Sequence, residues 1–469
     1  MRCDGSATPR RPIPSLQRFT RAIVPGLNWG RLSTLPNALV GGISAFRPEA
    51  LTLHLLLPFE DKRGAAAMTS PADRTSPLLD HCPSTLPPEA YWHPDWAELE
   101  RRGIWARQWV YVGRRNGFAP GTLRRVEIAG DNLIVVCAAD GSLSAFHNTC
   151  RHRGSVLCVE HQQAFDGRVI RCPYHAWAYA TDGRLVSTAF GTPTPDFIKA
   201  DHGLFPAALE VWNGFVFLCV AEDPSPFEPD LGRDALDNWP MDALVVGHSF
   251  EKVLACNWKV FWENYNECLH CPGVHPMLSD RIPVYQRGIM TRQEAADWRP
   301  DEGPRRVLKE GTSTWTMNGQ PCGPAFPDLS DEERHLAHNF VTAYPSMFIV
   351  AHVDYVRTVQ LVPLDPERVL LRAQWLFLPE TLAQPDFDLA NVTDFATTVL
   401  LEDGAACELN QQGLRSSRYD GGRLMPQEFD VHGFQAWVLS QIEDVDAEKG
   451  PLGSSGSGNS SGSGGGLTG

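Results

Sequence analysis

Cys150 and His152 are separated by a single residue, and after nineteen intervening residues the run Cys172-Pro-Tyr-His175 offers a second thiol and a second imidazole. Two thiolates and two imidazoles form a complete ligand set. One chemistry they fit is a tetrahedral zinc site. Zinc fingers, however, usually pair Cys with Cys and His with His along the chain, whereas each segment here carries one of each. Two loops built this way can present both thiolates to one iron and both imidazoles to another, as in an iron–sulfur cluster whose neutral imidazoles raise its potential. Further along, His270 and His275 stand five residues apart, with Glu267 three residues before the first. Two imidazoles need one carboxylate to make an oxygen-activating mononuclear iron site with open positions.

The elements that must position these groups follow from periodicity. Trp258 to His270 reads as a helix, which would place Glu263, Glu267 and His270 at i, i+4 and i+7 on one face. Pro272-Gly273 should loosen that helix so that His275 swings back. Asp386 to Gln412 reads as a long amphipathic helix, in which Val392, Ala396, Val399, Asp403 and Cys407 fall at steps of three or four. Asp403 therefore lies on the apolar side. An inward carboxylate without a partner is costly, and a metal would relieve it; the alternative is an acid that simply reaches solvent. The Cys/His segments fall between short strands. Leu133 to Cys137, then Asp140-Gly141, and the pair Leu209 to Trp212 and Phe215 to Leu218 around Asn213-Gly214, read as hairpins. Phe348 to Ala351, Tyr355 to Val362 and Val369 to Phe377 read as an antiparallel meander. The fold class expected is α+β: an all-β domain followed by a domain with an antiparallel sheet and helices.

Five segments are expected: a leader over 1–85, a helical segment over 86–109, an all-β domain over 110–222, a mixed domain over 223–445, and a Gly/Ser tail over 446–469. Residues 1–67 hold nine Lys/Arg against four Asp/Glu in an otherwise acidic chain. They read as an overextended start, with Met68 or its surroundings the true one, or as a transit peptide, since the first 48 residues are Arg-rich and acid-poor. The net charge of −15 argues against a nucleic-acid partner. No apolar run reaches the length of a membrane span. The twelve cysteines form no dense regular framework, which suits a reducing, cytoplasmic setting and metal chemistry. No Gly-rich dinucleotide fingerprint is present.

Cys150-Arg-His-Arg-Gly154, Cys172-Pro-Tyr-His-Ala-Trp177 and Asp182-Gly183 resemble the iron–sulfur domain of Rieske-type oxygenases. Asn257-Trp258-Lys259, Glu263-Asn264-Tyr265, Glu267-Cys268, His270-Cys271, His275-Pro276 and Glu402-Asp403, with Glu408 beyond, are similar to the catalytic domain of the same family. The resemblance runs from about residue 85 to 440 and implies a helix-grip, START-like catalytic domain. It implies a [2Fe–2S] cluster with Cys150 and Cys172 on the inner iron and His152 and His175 on the outer one. It also implies a mononuclear Fe(II) held by His270, His275 and Asp403. Glu267 takes the place of the acid that links this iron to a Rieske histidine, here His175, of the neighbouring subunit in a homotrimer. Dioxygen, a small-molecule substrate and a separate NAD(P)H-dependent reductase are the partners implied, with no membrane or nucleic acid.

Glu at 267 in place of the more common Asp, the run Glu-Cys-Leu-His-Cys, and Cys158 with Glu160 resemble the branch that oxidises quaternary amines such as betaines, choline or carnitine. Hydroxylation or N-demethylation of a small quaternary ammonium compound is therefore the expected activity. A ring-hydroxylating dioxygenase is the alternative within the family. An electron-transfer or zinc-stabilised binding protein is the alternative outside it. Such a cation favours an aromatic cage. Trp315, Tyr265, Tyr344 and Tyr355 are the foremost candidates, with Trp262, Phe340 and Phe348 behind them; ordinary core packing is the competing reading. His352 and Asp354 are candidates for orienting a carboxylate.

Overall fold

The computed structural model describes residues 76–295, 297–299 and 308–448. Of the leader read over 1–85 only 76–85 is described, and of the tail read over 446–469 only 446–448, which belong to the last helix; the rest lies outside the described residues. Pro94 sits at the first turn of α1 (Pro94–Glu100), which runs into a π-helical turn, Arg101–Trp105. The helical reading of this region therefore holds, broken into pieces where proline removes a backbone donor.

Ten strands follow: β1 (Val110–Arg114), β2 (Thr122–Ile128), β3 (Asp131–Cys137), β4 (Leu143–His147), β5 (Gln162–Ala164), β6 (Val169–Arg171), β7 (Ala178–Ala180), β8 (Leu185–Ser187), β9 (Ala208–Trp212) and β10 (Phe215–Cys219). They form a four-stranded sheet in the order β4-β3-β2-β5 and two three-stranded sheets, β6-β7-β8 and β1-β10-β9. All pairings are antiparallel. At the β9–β10 turn Asn213 and Gly214 take φ of 49° and 70°. That left-handed pair matches the twist of a two-residue hairpin, and a Cβ on Gly214 would meet the Arg114 guanidinium at 2.7 Å.

The second half is one five-stranded antiparallel sheet and the helices laid on it. The strands are β11 (Val245–Leu254), β12 (His338–Ala343), β13 (Met347–His352), β14 (Val356–Asp365) and β15 (Arg368–Phe377), in the order β11-β15-β14-β13-β12. The expected meander is present, extended at its two edges by β11 and β12. The helices are α2 (Trp258–Tyr265), α3 (Cys271–Val274), α4 (Pro276–Arg281), α5 (Asp331–Leu336), α6 (Pro379–Leu382), α7 (Leu389–Leu414) and α8 (Phe429–Glu448). One sheet face carries Phe348, Val350, Tyr355, Val359, Trp375 and Phe377, packed in one core with Phe261 and Trp262 of α2 and Ala396 and Leu400 of α7. This alternation along β13, β14 and β15 is the period-two pattern of strands that bury a face under helices. Among the described residues no helix is long and apolar enough to cross a membrane.

A buried ion pair fastens α1 to α2. Lys259 Nζ lies 2.5 Å from Glu100 Oε1, and both side chains are almost fully enclosed. Trp258 Nε1 donates to the other Glu100 oxygen at 2.8 Å, and Lys259 also donates to Asn257 Oδ1 at 2.8 Å. The Lys259 charge is thus both paired and hydrogen-bonded, as buried ions require.

Candidate functional site: an iron triad and a Cys/His loop pair

Asn257 caps α2, its Oδ1 accepting from Lys259 N at 2.9 Å. The helix ends at Tyr265, five residues short of His270, so Glu263, Glu267 and His270 do not share one helical face as the spacing implied. Asn266 closes the helix with its side chain turned to Tyr344 Oη at 3.0 Å, a use of the amide that competes with further helix. The next turn is organised by Glu267 itself. Its carboxylate accepts from the backbone N–H of Leu269 and, at 3.4 Å, from that of His270. Cys268 and Cys271 are joined as a disulfide across the same turn. Pro272 stands in the first turn of α3, so it starts a helical turn rather than loosening one, and Pro276 does the same for α4 directly after His275.

The result brings three side chains from two distant segments together. Ligand atoms of His270, His275 and Asp403 lie within 4.8 Å of one another, and this is the one such group among the described residues. Asp403 Oδ1 is 2.7 Å from His275 Nε2 and 3.4 Å from His270 Nε2. Asp403 comes from α7, which approaches β11 closely because a Cβ at the next residue, Gly404, would meet Leu254 at 2.7 Å. Each imidazole is held by its other nitrogen. His270 Nδ1 is 2.5 Å from Glu267 Oε1, and His275 Nδ1 is 2.8 Å from Glu402 Oε2. Burial alone would lower the His270 pKa, but Asp403 and Glu267 outweigh it and lift it to about 9. His275 is raised for the same reason by Asp403 and Glu402. Burial pushes the Asp403 carboxyl up, yet the two histidines hold it below the ordinary range. Three carboxylates around two imidazoles leave an excess of negative charge that a divalent cation would neutralise, with Nε2 of each ring turned toward Asp403.

Glu267 and His270 also line an open cleft of about 310 Å³ with Glu263, Asn264, Tyr91 and Gln435. Tyr91 Oη donates to Glu263 Oε1 at 2.7 Å and Gln435 Nε2 donates to the same oxygen at 3.0 Å. Burial raises the Glu263 carboxyl to about 7 against those hydrogen bonds. Glu263, Glu267 and His270, read from the sequence as one helix face, therefore do share one cavity, though not one helix.

The Cys/His loops follow β4 and β6. Cys150 and Cys172 are buried, each 3% exposed, while His152 is exposed and His175 half-buried. The two imidazole rings lie edge to face with centroids 4.7 Å apart, and His152 stacks on Trp177 at 4.8 Å. Tyr179 Oη sits 3.1 Å from Cys150 Sγ and accepts from Arg151 N at 3.0 Å, fastening the first loop to β7. Among the described residues no three of these four ligand atoms gather as closely as the triad does. A tetrahedral zinc shell requires that they should. Thiols inward and imidazoles outward suit a two-iron cluster instead. Cys158 is a fully buried small residue.

The Rieske [2Fe-2S] domain family matches residues 108–197, and the family of the ring hydroxylating alpha subunit (catalytic domain) matches 241–444. The glycine betaine monooxygenase oxygenase subunit of Chromohalobacter salexigens is 30% identical over 439 residues, covering 83% of this chain and 94% of that protein. The chain belongs to the Rieske non-heme iron oxygenases. The carnitine monooxygenase oxygenase subunit of Acinetobacter pittii is 29% identical over 348 residues, covering 73% of this chain and 88% of that protein. The quaternary ammonium Rieske monooxygenase CntA, solved in complex with L-carnitine, shares the fold at a TM-score of 0.55 and 21% identity, over 77% of this chain and 96% of the other. As a Rieske oxygenase the chain carries a [2Fe–2S] domain and a catalytic domain that binds mononuclear iron, and its α+β architecture is that of the family.

The sheet of this oxygenase places the proposed substrate aromatics in two groups. Trp315 lies among Tyr285, His338, Phe340, His352 and Phe395, with ring centroids 4.9 to 6.4 Å away. Tyr355 donates to Trp315 O at 2.6 Å and stacks on His352 at 4.3 Å. Tyr265 stacks on Phe348 at 3.9 Å and meets Phe340 at 6.2 Å. Tyr344 stands apart, stacked on Trp437 at 5.0 Å and edge-on to Trp262 at 4.7 Å, in the packing between α2 and α8. Asp354 is already engaged by Thr314 Oγ1 at 2.8 Å and Cys322 N at 2.7 Å, whereas both ring nitrogens of His352 lack a protein partner. Two groups escaped the reading of the sequence. Glu402 was noted only as a neighbour of Asp403, and nothing local says that it reaches His275. Arg357 was overlooked, although it stands in strict alternation with Tyr355, Val359 and Leu361 on a core-facing strand.

Proposed function

We propose that the chain is the terminal oxygenase component of a multi-component system that hydroxylates, and thereby N-demethylates, a small quaternary ammonium compound. The observation that carries this reading is the convergence of His270, His275 and Asp403 within 4.8 Å, with Glu267 on the outer nitrogen of His270 and open to a cleft. The relatives named for glycine betaine and carnitine support the substrate class, as does the aromatic wall around Trp315. A bound mononuclear iron would supply the activation of dioxygen. In this proposal His270, His275 and Asp403 hold it, Glu402 and Glu267 fix the two imidazole tautomers, and the aromatic wall receives the methylated nitrogen. Cys150 and Cys172 take the inner iron of the cluster, and His152 and His175 the outer one.

A quaternary nitrogen has no lone pair to be oxidised, so the reaction must occur at carbon. One methyl C–H becomes C–OH, with one atom of O₂ retained, the other leaving as water, and two electrons and two protons taken up. The N–CH₂OH adduct then breaks its C–N bond, releasing formaldehyde, a proton and a tertiary amine. The electrons come from a separate NAD(P)H-dependent reductase. The exposed imidazole edge of the Cys/His loops and the cleft at Glu267 suit docking of one copy's loops on the next copy's cleft, so a homotrimer in the cytoplasm is the assembly we infer. The test is turnover with a reductase, screening glycine betaine, carnitine and choline against naphthalene. Formaldehyde release matched to NAD(P)H use is the expected result. A cis-diol from the aromatic, with no formaldehyde from any amine, would overturn the reading.

A further inference from the structure

Arg357 is 5% exposed, and its Nε has no hydrogen-bond partner in the protein. Among the described residues no carboxylate pairs with its guanidinium. On β14 it lies opposite Val350 of β13 and Trp375 of β15, and Val350 in turn lies opposite Phe340 of β12. Next along the same face come His338 and His352, also paired across strands. Strand alternation therefore turns Arg357, His338, His352 and Phe340 toward the same space beneath the helices. Trp315 covers that space. Buried polar atoms without partners are uncommon, yet here the indole nitrogen of Trp315, Nδ1 of His338, both nitrogens of His352, the hydroxyl of Tyr265 and Nε of Arg357 all lack one. Burial holds the Arg357 guanidinium below its ordinary pKa, against the raising effect of Tyr355, Tyr265 and Asp403.

An unpaired guanidinium in such a place is strongly disfavoured until an anion arrives. A planar, two-toothed donor suits a carboxylate. We propose that Arg357 anchors a carboxylate of the substrate, so that the compound oxidised is a zwitterionic betaine whose acid end rests on this guanidinium and whose methylated nitrogen faces Trp315 and Phe340. The inference rests on the quaternary-ammonium reading above and narrows it. A purely cationic substrate such as choline would bring a second positive charge beside Arg357 and leave the guanidinium unpaired.

The experiment compares holoenzyme of the natural chain, Arg357→Met and Arg357→Lys on glycine betaine, L-carnitine, γ-butyrobetaine and choline. It reads formaldehyde release and, by calorimetric titration, substrate binding. The natural chain is expected to prefer a carboxylated substrate over choline on the order of 100-fold or more in kcat/KM. Arg357→Met should lose that preference, chiefly through KM and binding, with choline turnover unchanged or improved; Arg357→Lys should retain part of it. The substrate-free melting temperature of Arg357→Met should stay level or rise, because an unpaired charge has been removed, whereas a structural arginine would lower it. Choline used as well as the betaines by the natural chain, or betaine binding unchanged in Arg357→Met, overturns the carboxylate anchor while leaving the quaternary-amine reading intact. If Arg357→Met does not fold, the anchor is overturned as well, since its removal was to cost the empty enzyme nothing. Turnover of none of the four removes both readings together.

Discussion

Glu267 and Glu402 stand in the same relation to the two imidazoles, and that symmetry gives a sharp experiment. Each carboxylate lies against an Nδ1, at 2.5 and 2.8 Å, and each leaves an Nε2 facing Asp403, at 3.4 and 2.7 Å. Loss of such an outer partner weakens metal binding by about 10–100-fold, or about 1.4–2.7 kcal/mol at 1.36 kcal/mol per decade. Gln keeps the volume and an acceptor oxygen, so Glu267→Gln and Glu402→Gln should both fall near the lower figure. Where they differ is in surroundings. Glu267 opens on the cleft, and Glu402 does not line it. If Glu267 also carries electrons between subunits, excess ferrous iron should restore the Glu402→Gln enzyme and not the Glu267→Gln enzyme. The assay is an iron titration of each variant, then stopped-flow decay of the reduced-cluster absorbance on mixing iron-saturated protein with substrate and dioxygen. Cluster oxidation at the natural rate in iron-saturated Glu267→Gln would refute the bridge and reduce Glu267 to a positioning residue for His270.

Three further outcomes follow from the same geometry. Asp403→Ala should bring the iron content from about three per chain to about two, with two labile sulfides and the cluster spectrum kept; loss of the cluster signal would mean that the two centres are not independent. Glu100→Ala leaves Lys259 charged and enclosed, at a cost of about 3–5 kcal/mol, while Glu100→Leu with Lys259→Met should recover most of it; denaturant unfolding within about 1 kcal/mol of the natural chain for the single variant would contradict the account of this pair. The Glu263 carboxyl titrates at about 7 when folded against its ordinary 4.5, because burial outweighs its bonds from Tyr91 and Gln435. Between those values the folded chain holds a proton that the unfolded chain has lost, so stability falls as pH rises through the window and stays lowered above it. Glu263→Gln should therefore stabilise by about 1–2 kcal/mol at pH 8 and by nothing measurable near pH 4.5; an equal effect at both pH values would show that the charge is not the cause.

What the chain discloses in one dimension is what a single segment presents to its neighbours. Cys150 with His152 and Cys172 with His175 were legible because each pair is set by one tight loop, and thiol-inward, imidazole-outward placement follows from the loop alone. His270 and His275 were legible as a pair, but the helix drawn through them was not, because Asn266, Glu267 and the Cys268–Cys271 link spend the backbone on a turn. Asp403 could be read from the stripe Val392, Ala396, Val399, since a carboxylate on an apolar face is an anomaly that asks for a partner. Arg357 posed the same anomaly on a strand, between Tyr355 and Val359, and the same reasoning applied there would have found it. Its meaning, however, comes from register: the pairing that sets Val350 against Arg357 and His338 against His352 joins segments whose alignment no local pattern states. The proposed iron ligands thus lie where local rules reach, and the residues that would choose the substrate lie where only the closed sheet assembles them. That is the physical reason the reaction class can be read from the sequence of this oxygenase while the proposed carboxylate anchor had to be argued from an unpaired guanidinium.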